Sequence, residues 1–461
     1  MVFSKLFGDR AFYKRFLVLL IPIIIQNGIT NLVNMLDNIM VGRVGTLQMT
    51  GVAVTNQLIF VFNLCIFGAL AGAGIFGAQF FGSGDSKGVR YTFRFKMLFC
   101  ILLCLLGIAI FLFCGNGLIG FYLKGEGGPQ DAALSLKYAR EYMLIMLVGL
   151  IPYTVTQCFS STLRECNKTV LPMVAGVVSV LVNLILNYIL IFGKFGAPKL
   201  GVNGAAVATV ASRFAELAIV VIWTYKNKSQ NEFIIGAFKR FYIPLNLIKS
   251  ISIKGFPLMV NETLWAAGIA MLNQCYSMRG INVVAAINIS QTFYNVFSVA
   301  FLSSGVSIGI ILGQLLGAGK TEEARDTARK LTFFSILISV AIGITYIIAA
   351  EVIPTAYNTE SQVRYLATIF MQITAIVMPI ESFINAAYFT LRSGGKTGIT
   401  FVFDSGFMWV VIVLTAFILS RFTEITIIPL FAIIQALSLI KAAVGFYFVK
   451  KGVWIVNLIS K

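Results

Sequence analysis

Residues 76–85 read FGAQFFGSGD, and residues 311–320 read ILGQLLGAGK. Gln79 falls on Gln314, Gly82 on Gly317 and Gly84 on Gly319, all at an offset of 235. Gly77 does not take part, because Gly313 falls on Ala78. At the same offset Pro22 lands on Pro257, so the register holds without a gap across more than 60 residues. Further on, LRECNKT at 163–169 resembles LRSGGKT at 391–397, at an offset of 228. A coincidence of this extent predicts a chain of two halves built on one plan.

Composition names the solvent of those halves. Apolar residues make up 58% of 461, and 12% are charged. Soluble domains carry about 25% charged residues. Windows of about 20 mostly apolar residues, the length that crosses a bilayer, recur along the chain. They fall at 16–41, 51–80, 95–117, 139–162, 170–193, 204–225, 255–278, 284–316, 331–353, 365–390, 398–420 and 427–449. A helix satisfies its own backbone in lipid, and these runs lack period-2 alternation. The expected class is therefore an all-α integral membrane protein of twelve transmembrane helices. Six helices return the chain to its starting side. The two six-helix bundles should then be parallel repeats, related by a pseudo-two-fold axis along the membrane normal. The expected division is an N-lobe over 1–225, a linker over 226–254 and a C-lobe over 255–461. A cleft between lobes, opening alternately to each face, is the usual consequence. No cleavable signal peptide is expected, because the first apolar run is too long and has no A-x-A-like end.

The net charge of +18 could suggest nucleic acid, but its placement points elsewhere. With an even helix count both termini share a side. On that side fall 25 basic residues, from Lys5, Arg10, Lys14 and Arg15 through Lys226, Lys228, Lys239, Arg240, Lys249 and Lys254 to the C-terminus. The opposite side takes nine. The positive-inside rule puts both termini in the cytoplasm of a plasma (inner) membrane protein. Anionic lipid and topology account for the charge, and no nucleic acid partner is expected. Histidine is absent and the seven cysteines form no C-x-x-C, which argues against a transition-metal site and excludes histidine acid–base chemistry. The GAGKT and GGKT loops resemble a P-loop tail, but Gln314 and Thr390 stand where its first glycine belongs. They read better as helix C-caps in which glycine takes the left-handed conformation.

Few acids lie within the spans, among them Asp37, Glu216, Glu262, Glu381 and Asp404. A central charge costs at least ~2.5–3.5 kcal/mol on insertion, so such residues face protein or water. Asp37 ends a long apolar run, and that run holds no basic residue to pair with it. Asn183 and Asn187 are four apart on one helix face, and Thr209 lies on a small-residue face of the sixth span. A carboxylate, two amide oxygens and a hydroxyl are hard donors that suit sodium, or one proton held on the acid. A neutral polar zipper between helices is the competing reading. Glu262 (in NETLW) and Glu381 (after Pro379) have no acidic counterpart at the matching repeat positions, where Asn27 and, approximately, Tyr153 stand. The two halves should thus differ in chemistry. Asp404 sits closer to the cytoplasmic end of its helix, where a packing role competes with a functional one.

These features resemble the multidrug and toxic compound extrusion (MATE) family over essentially the whole chain. The likeness is carried by MLDNIMVG, GAQFFGSGD, NLILNYILIFG, NETLW and PIESF…LRSGGKT. NETLW and RSGGKT resemble the Gram-positive branch that contains the staphylococcal-type exporters. The resemblance implies a non-enzymatic, cation-coupled antiporter for amphipathic, often cationic compounds. It implies an N-lobe cation site at Asp37, Asn183, Asn187 and Thr209, and C-lobe cation or substrate acids at Glu262 and Glu381. Asp404, Gln79 and Gln314 would be supporting residues. Some members carry a second aspartate where this chain has Asn187, which weakens a two-carboxylate proton relay. The coupling ion is then Na+ or H+, with no other cofactor, and the expected partners are small molecules and membrane lipids of a monomer. Forty phenylalanines and fourteen methionines are mostly lipid-facing or packing residues, yet soft surfaces of this kind suit polyspecific binding. A flippase for lipid-linked sugars on a related scaffold is the alternative. It would need basic residues along its cleft, and the intramembrane basic residues are few: Arg213, and Lys441 in the last helix. A membrane-embedded enzyme or sensor is a third reading, without a nucleophile motif or soluble domain to support it.

Overall fold

A backbone in lipid must bond to itself, and among the described residues of this computed structural model every regular element is helical. Those residues are 6–42, 44–123, 129–239, 242–357 and 359–460, with the side chains at 34, 35, 38, 39 and 129 excepted. Lys5 and Arg240 of the charge pattern lie outside them.

The first half supplies α1 (Arg10–Gly42), α2 (Thr46–Gly82), α3 (Ser86–Tyr122), α4 (Pro129–Glu165), α5 (Val170–Phe192) and α6 (Val202–Lys226). The second begins with α7 (Leu245–Ser277). The run expected as one span over 284–316 is two helical segments, Ile281–Phe297 and Val299–Gly317, here α8. The break is slight: Ser298 keeps helical angles (φ −72, ψ −16), and its N–H donates to the Tyr294 carbonyl at 2.8 Å. Then come α9 (Thr321–Val352), α10 (Ser361–Ser393), α11 (Thr397–Phe422) and α12 (Ile427–Lys451). α11 is wound as π-helix over Val402–Gly406 and Met408–Val413, and α12 breaks at Leu437.

Among the described residues eleven helical stretches are long and apolar enough to cross a membrane. α7 is not among them, because its lysines and amides dilute the apolar run.

The chain packs as two compact units. One holds Ile25–Gly77 and Ser86–Lys249; the other holds Met1–Ile24, Ala78–Asp85 and Ser250–Lys461. Thus the start of α1, up to just past Pro22, and the tip of α2 pack with the second half of the chain. In the first unit α6 packs on α4 and α5, and α3 on α4. In the second, α10 is central, touching both segments of α8 together with α9 and α12. Its core joins Phe16, Leu19 and Leu20 of α1 to Ile308, Leu312, Leu331, Leu391 and Trp454.

The repeat persists at the level of single hydrogen bonds. The amides of Ser83, Gly84 and Asp85 donate to the carbonyls of Gln79, Phe81 and Phe80 at 3.0, 3.1 and 2.9 Å. Those of Ala318, Gly319 and Lys320 donate to Gln314, Leu316 and Leu315 at 3.0, 3.1 and 3.0 Å. Gly84 (φ +77) and Gly319 (φ +74) both take the left-handed conformation, so these loops are helix caps and not phosphate cradles. Asn167 (φ +60) and Gly395 (φ +69) match in the same way. The tips also meet reciprocally. A Cβ on Gly82 would strike the Gln314 carbonyl, and one on Gly317 would strike the Gln79 carbonyl. Each glycine of the duplicated Q-x-x-G lets the other copy's backbone approach.

Candidate functional site

In the first unit α1, α5 and α6 bring Asp37, Asn183, Asn187 and Thr209 into one cluster. The Asn187 amide donates to Asp37 Oδ1 at 2.6 Å and to Asn183 Oδ1 at 3.0 Å. The one-turn spacing read from the sequence is what puts both asparagines on a single edge of α5. Asn183 can lie either way round. In one orientation its amide donates to Thr209 Oγ1 at 3.2 Å and its oxygen faces the Asp37 carboxylate. Turned over, it donates to both Asp37 oxygens at 3.1 and 3.2 Å and accepts from Thr209 at 3.2 Å. The second orientation is the one that satisfies both ends of the amide. Asn187 Oδ1 is buried and has no hydrogen-bond partner. A buried oxygen without a donor beside a carboxylate is what a cation would coordinate. The donor set is hard oxygen of the kind that could hold a small cation, and no lysine or arginine hydrogen-bonds to Asp37 among the described residues.

The second unit holds a different arrangement. Tyr388 of α10 donates to Glu262 Oε1 at 3.0 Å. Asn261 donates to the Tyr388 hydroxyl at 3.4 Å and to Asp404 Oδ2 at 2.9 Å. Lys441 of α12 donates to Asp404 Oδ1 at 2.8 Å, a salt bridge with little exposure on either side chain, and lies 5.5 Å from the centre of the Phe403 ring. The π-helical turn of α11 lets the Ser405 amide and hydroxyl engage Asn261 as well, at 3.2 and 2.8 Å. Such widened turns recur at functional sites. Glu262 and Asp404 are thus joined through Tyr388 and Asn261. Glu381 stands apart, accepting from Ser438 of α12 at 2.6 Å, and no hydrogen bond joins it to Glu262 among the described residues.

Gln79 and Gln314 are buried away from these acids. Gln79 donates to the Ser393 and Val456 carbonyls at 3.1 and 3.2 Å and accepts from the Leu458 amide at 2.8 Å. It clamps the C-terminal segment, while the Gln314 backbone seats Gly82.

Sequence reasoning missed a third polar cluster. Lys96 of α3 is fully buried and donates to both oxygens of Glu165 at 2.6 and 2.7 Å, with Ser161 and Thr162 beside it. Gly74 and Gly77 of α2 leave room for this carboxylate. Lys96 reads in sequence as one more topology charge. The signal that it is something else is an acid, Glu165, inside the duplicated LRECNKT loop.

The family model MatE matches residues 22–189 and 257–418, most of both halves. The chain belongs to the MatE family. MatE proteins are membrane transporters and not enzymes, and the many spanning helices make this chain a multi-pass membrane protein. A probable multidrug resistance protein NorM from Thermotoga maritima is 25% identical over 449 residues, covering 96% of this chain and 93% of that one. The multidrug resistance protein MdtK of Proteus mirabilis is 27% identical over 413 residues, covering 88% of each. The fold is that of solved MatE-type structures. An outward-facing multidrug resistance MATE transporter of the MOP superfamily superposes with a TM-score of 0.85 at 18% identity, covering 97% of both chains. A MOP superfamily transporter from Pyrococcus furiosus gives 0.84 at 18% identity, again over 97% of both. These neighbours carry the expected all-α fold of twelve helices in two lobes.

Proposed function

We propose that this MatE protein exports amphipathic, often cationic organic compounds across the cell membrane in exchange for sodium ions or protons. The observation that carries the coupling is the Asp37 cluster. It combines a carboxylate, the Asn183 amide and a buried amide oxygen on Asn187 without a hydrogen-bond partner, with no basic side chain hydrogen-bonded to the acid among the described residues. A site of this kind binds an exchangeable cation, because no resident cation fills it. Filling and emptying it favour different packings of α1, α5 and α6, and this differential is what allows one ion to drive alternating access. The relatives named for multidrug resistance support the substrate class. Exposed and half-buried aromatic and methionine side chains suit compounds of varied shape. The charge distribution supports cytoplasmic termini, and one copy holds both acid clusters, consistent with a working monomer in membrane lipid. The lipid-linked sugar flippase is less favoured. Lys441 is neutralised by Asp404, and Arg213 is engaged by the Gly149 carbonyl at 3.2 Å and the Tyr153 ring at 5.1 Å.

The test is ethidium efflux in vesicles with sodium and pH gradients imposed separately. Wild-type protein should respond to at least one gradient. Asp37→Asn should fold and lose the response by at least about tenfold, ~1.4 kcal/mol of coupling. Full gradient-driven efflux by that variant would refute the assignment.

A further inference from the structure

One acid within the spans, Glu216, has no part in the clusters above. It lies on α6, seven residues beyond Thr209, and Arg213 stands three residues before it. α6 packs on α4, where Gly149, Tyr153, Thr156, Ser160 and Arg164 follow at helical spacing on one stripe, within about 80° of arc at 100° per residue. The stripe and α6 are joined by the Arg213 guanidinium, which reaches the Gly149 carbonyl and the Tyr153 ring. Glu216 is within electrostatic range of both Arg213 and Arg164, and of Tyr153. Arg164 in turn donates to Gln26 of α1 at 2.7 Å.

Three atoms along this stripe are buried without a protein partner: Thr156 Oγ1, Ser160 Oγ and Arg164 Nε. Thr156 and Ser160 are each 1% exposed. A single orphan hydroxyl is common, but a row of them beside a carboxylate and two guanidinium groups is not an apolar packing face. Buried polar atoms in such a row are satisfied by ordered water. The row also has two defined ends. Toward one lies the Asp37 cluster, through Thr209 on α6 and through Tyr142 on α4, which is in electrostatic range of both Asp37 and Arg213. Toward the other lie Arg164 and Gln26. Along α1, Gln26 and Asp37 are 11 residues apart, about 16 Å of helix.

We propose that the seam between α4 and α6 is a hydrated proton conduit from the Asp37 pocket to the cytoplasmic side, with Glu216 as its carrier. This rests on the coupling role of Asp37. The proton leaves the Asp37 carboxylic acid for a seam water, giving a carboxylate and a hydronium. It then forms an O–H bond on a Glu216 oxygen, and Glu216 passes it to water beside Ser160 and Arg164, returning to the carboxylate. Arg213 and Arg164 flank the route with fixed positive charge, a barrier to any free cation, hydronium included, and the Glu216 carboxylate in electrostatic range of both is what offsets it.

The experiment uses the full chain in proteoliposomes loaded with a pH-sensitive dye. Proton flux during ethidium transport is measured beside ethidium binding by fluorescence. Glu216→Gln should lower proton-coupled transport by at least about tenfold, 1.4 kcal/mol, with ethidium affinity within about twofold of wild type, and Glu216→Asp should restore it. The double variant Thr156→Val/Ser160→Ala, which dries the seam and keeps Glu216, should slow proton flux in the same direction and decides the matter if Glu216→Gln does not fold. Wild-type proton flux in Glu216→Gln or in the double variant overturns the conduit. Equal loss of ethidium binding and flux marks a structural role and overturns it too. Asp37→Asn run alongside separates the two ideas: if it loses transport while Glu216→Gln keeps it, the conduit fails and the coupling site stands.

Discussion

Asp37 and Asp404 are both half-buried aspartates on spanning helices, and they are neutralised in opposite ways. Asp404 has a resident cation, Lys441, 2.8 Å away, and a donor amide from Asn261 on its other oxygen. Among the described residues the side chains that hydrogen-bond to Asp37 are amides, Asn187 and, in one orientation, Asn183. A fixed ammonium holds its carboxylate in one state, because releasing it would strand two charges in a poorly solvated interior. A carboxylate among amides has no fixed counter-charge bonded to it. The difference separates an acid that we propose as an exchange site from one that braces α11 against α12. Glu262 falls between them: it has a neutral donor in Tyr388, but is joined to the braced pair through Asn261.

The sharpest way to break the comparison is to neutralise each site without emptying it. Asp404→Asn/Lys441→Met removes both charges at once and should keep gradient-dependent ethidium efflux within about twofold of wild type. Asp37→Asn should lose it by at least about tenfold. If the double variant loses gradient response as fully as Asp37→Asn, Asp404 is an exchange site and the distinction collapses.

A smaller effect, on stability, tests the same logic. Lys441→Met alone leaves Asp404 charged in a half-buried place. Breaking a buried pair costs about 3–5 kcal/mol, and the residual exposure of this one reduces the expected loss to roughly 1–3 kcal/mol. Adding Asp404→Asn should recover most of it. Thermal unfolding in detergent reads both, and a single variant as stable as wild type would show that Lys441 contributes no net stabilisation.

Much of this was legible in the sequence, for reasons that differ by element. The offset of 235 carries straight through to matching cap bonds at Gly84 and Gly319, because a left-handed cap tolerates almost no residue but glycine or asparagine. The Asp37 cluster was legible because Asn183 and Asn187 are one turn apart, a local relation. The pairs that escaped join residues with no local relation. Lys96 and Glu165 are brought together by the packing of α3 on α4, and Lys441 and Asp404 by that of α12 on α11. Nothing in their spacing announces it. Nor did the division of α1 after Ile24 show in a run whose hydropathy stays even across Pro22. The π-helical winding of α11 is likewise invisible, since Val402–Val413 reads as an ordinary apolar helix.

The smallest effect is expected at Glu381, and it separates two meanings of an acid inside a span. Glu381 accepts one short bond, 2.6 Å from Ser438, at the point where α12 resumes after its break at Leu437. Glu381→Gln keeps an acceptor for that hydroxyl and removes the charge, so as a tether it is nearly silent, within about 0.5 kcal/mol in stability. Ser438→Ala removes the donor and should cost more, about 1 kcal/mol, because the carboxylate then loses its bond inside the protein. If Glu381 works only as a tether, efflux should follow the same order, with Ser438→Ala below Glu381→Gln. If Glu381 instead holds an exchangeable cation or the positive end of a drug, as Asp37 is argued to do for its ion, the order reverses. Glu381→Gln then loses transport while remaining as stable as wild type. Efflux and unfolding measured on these two variants place Glu381 on one side of the comparison or the other.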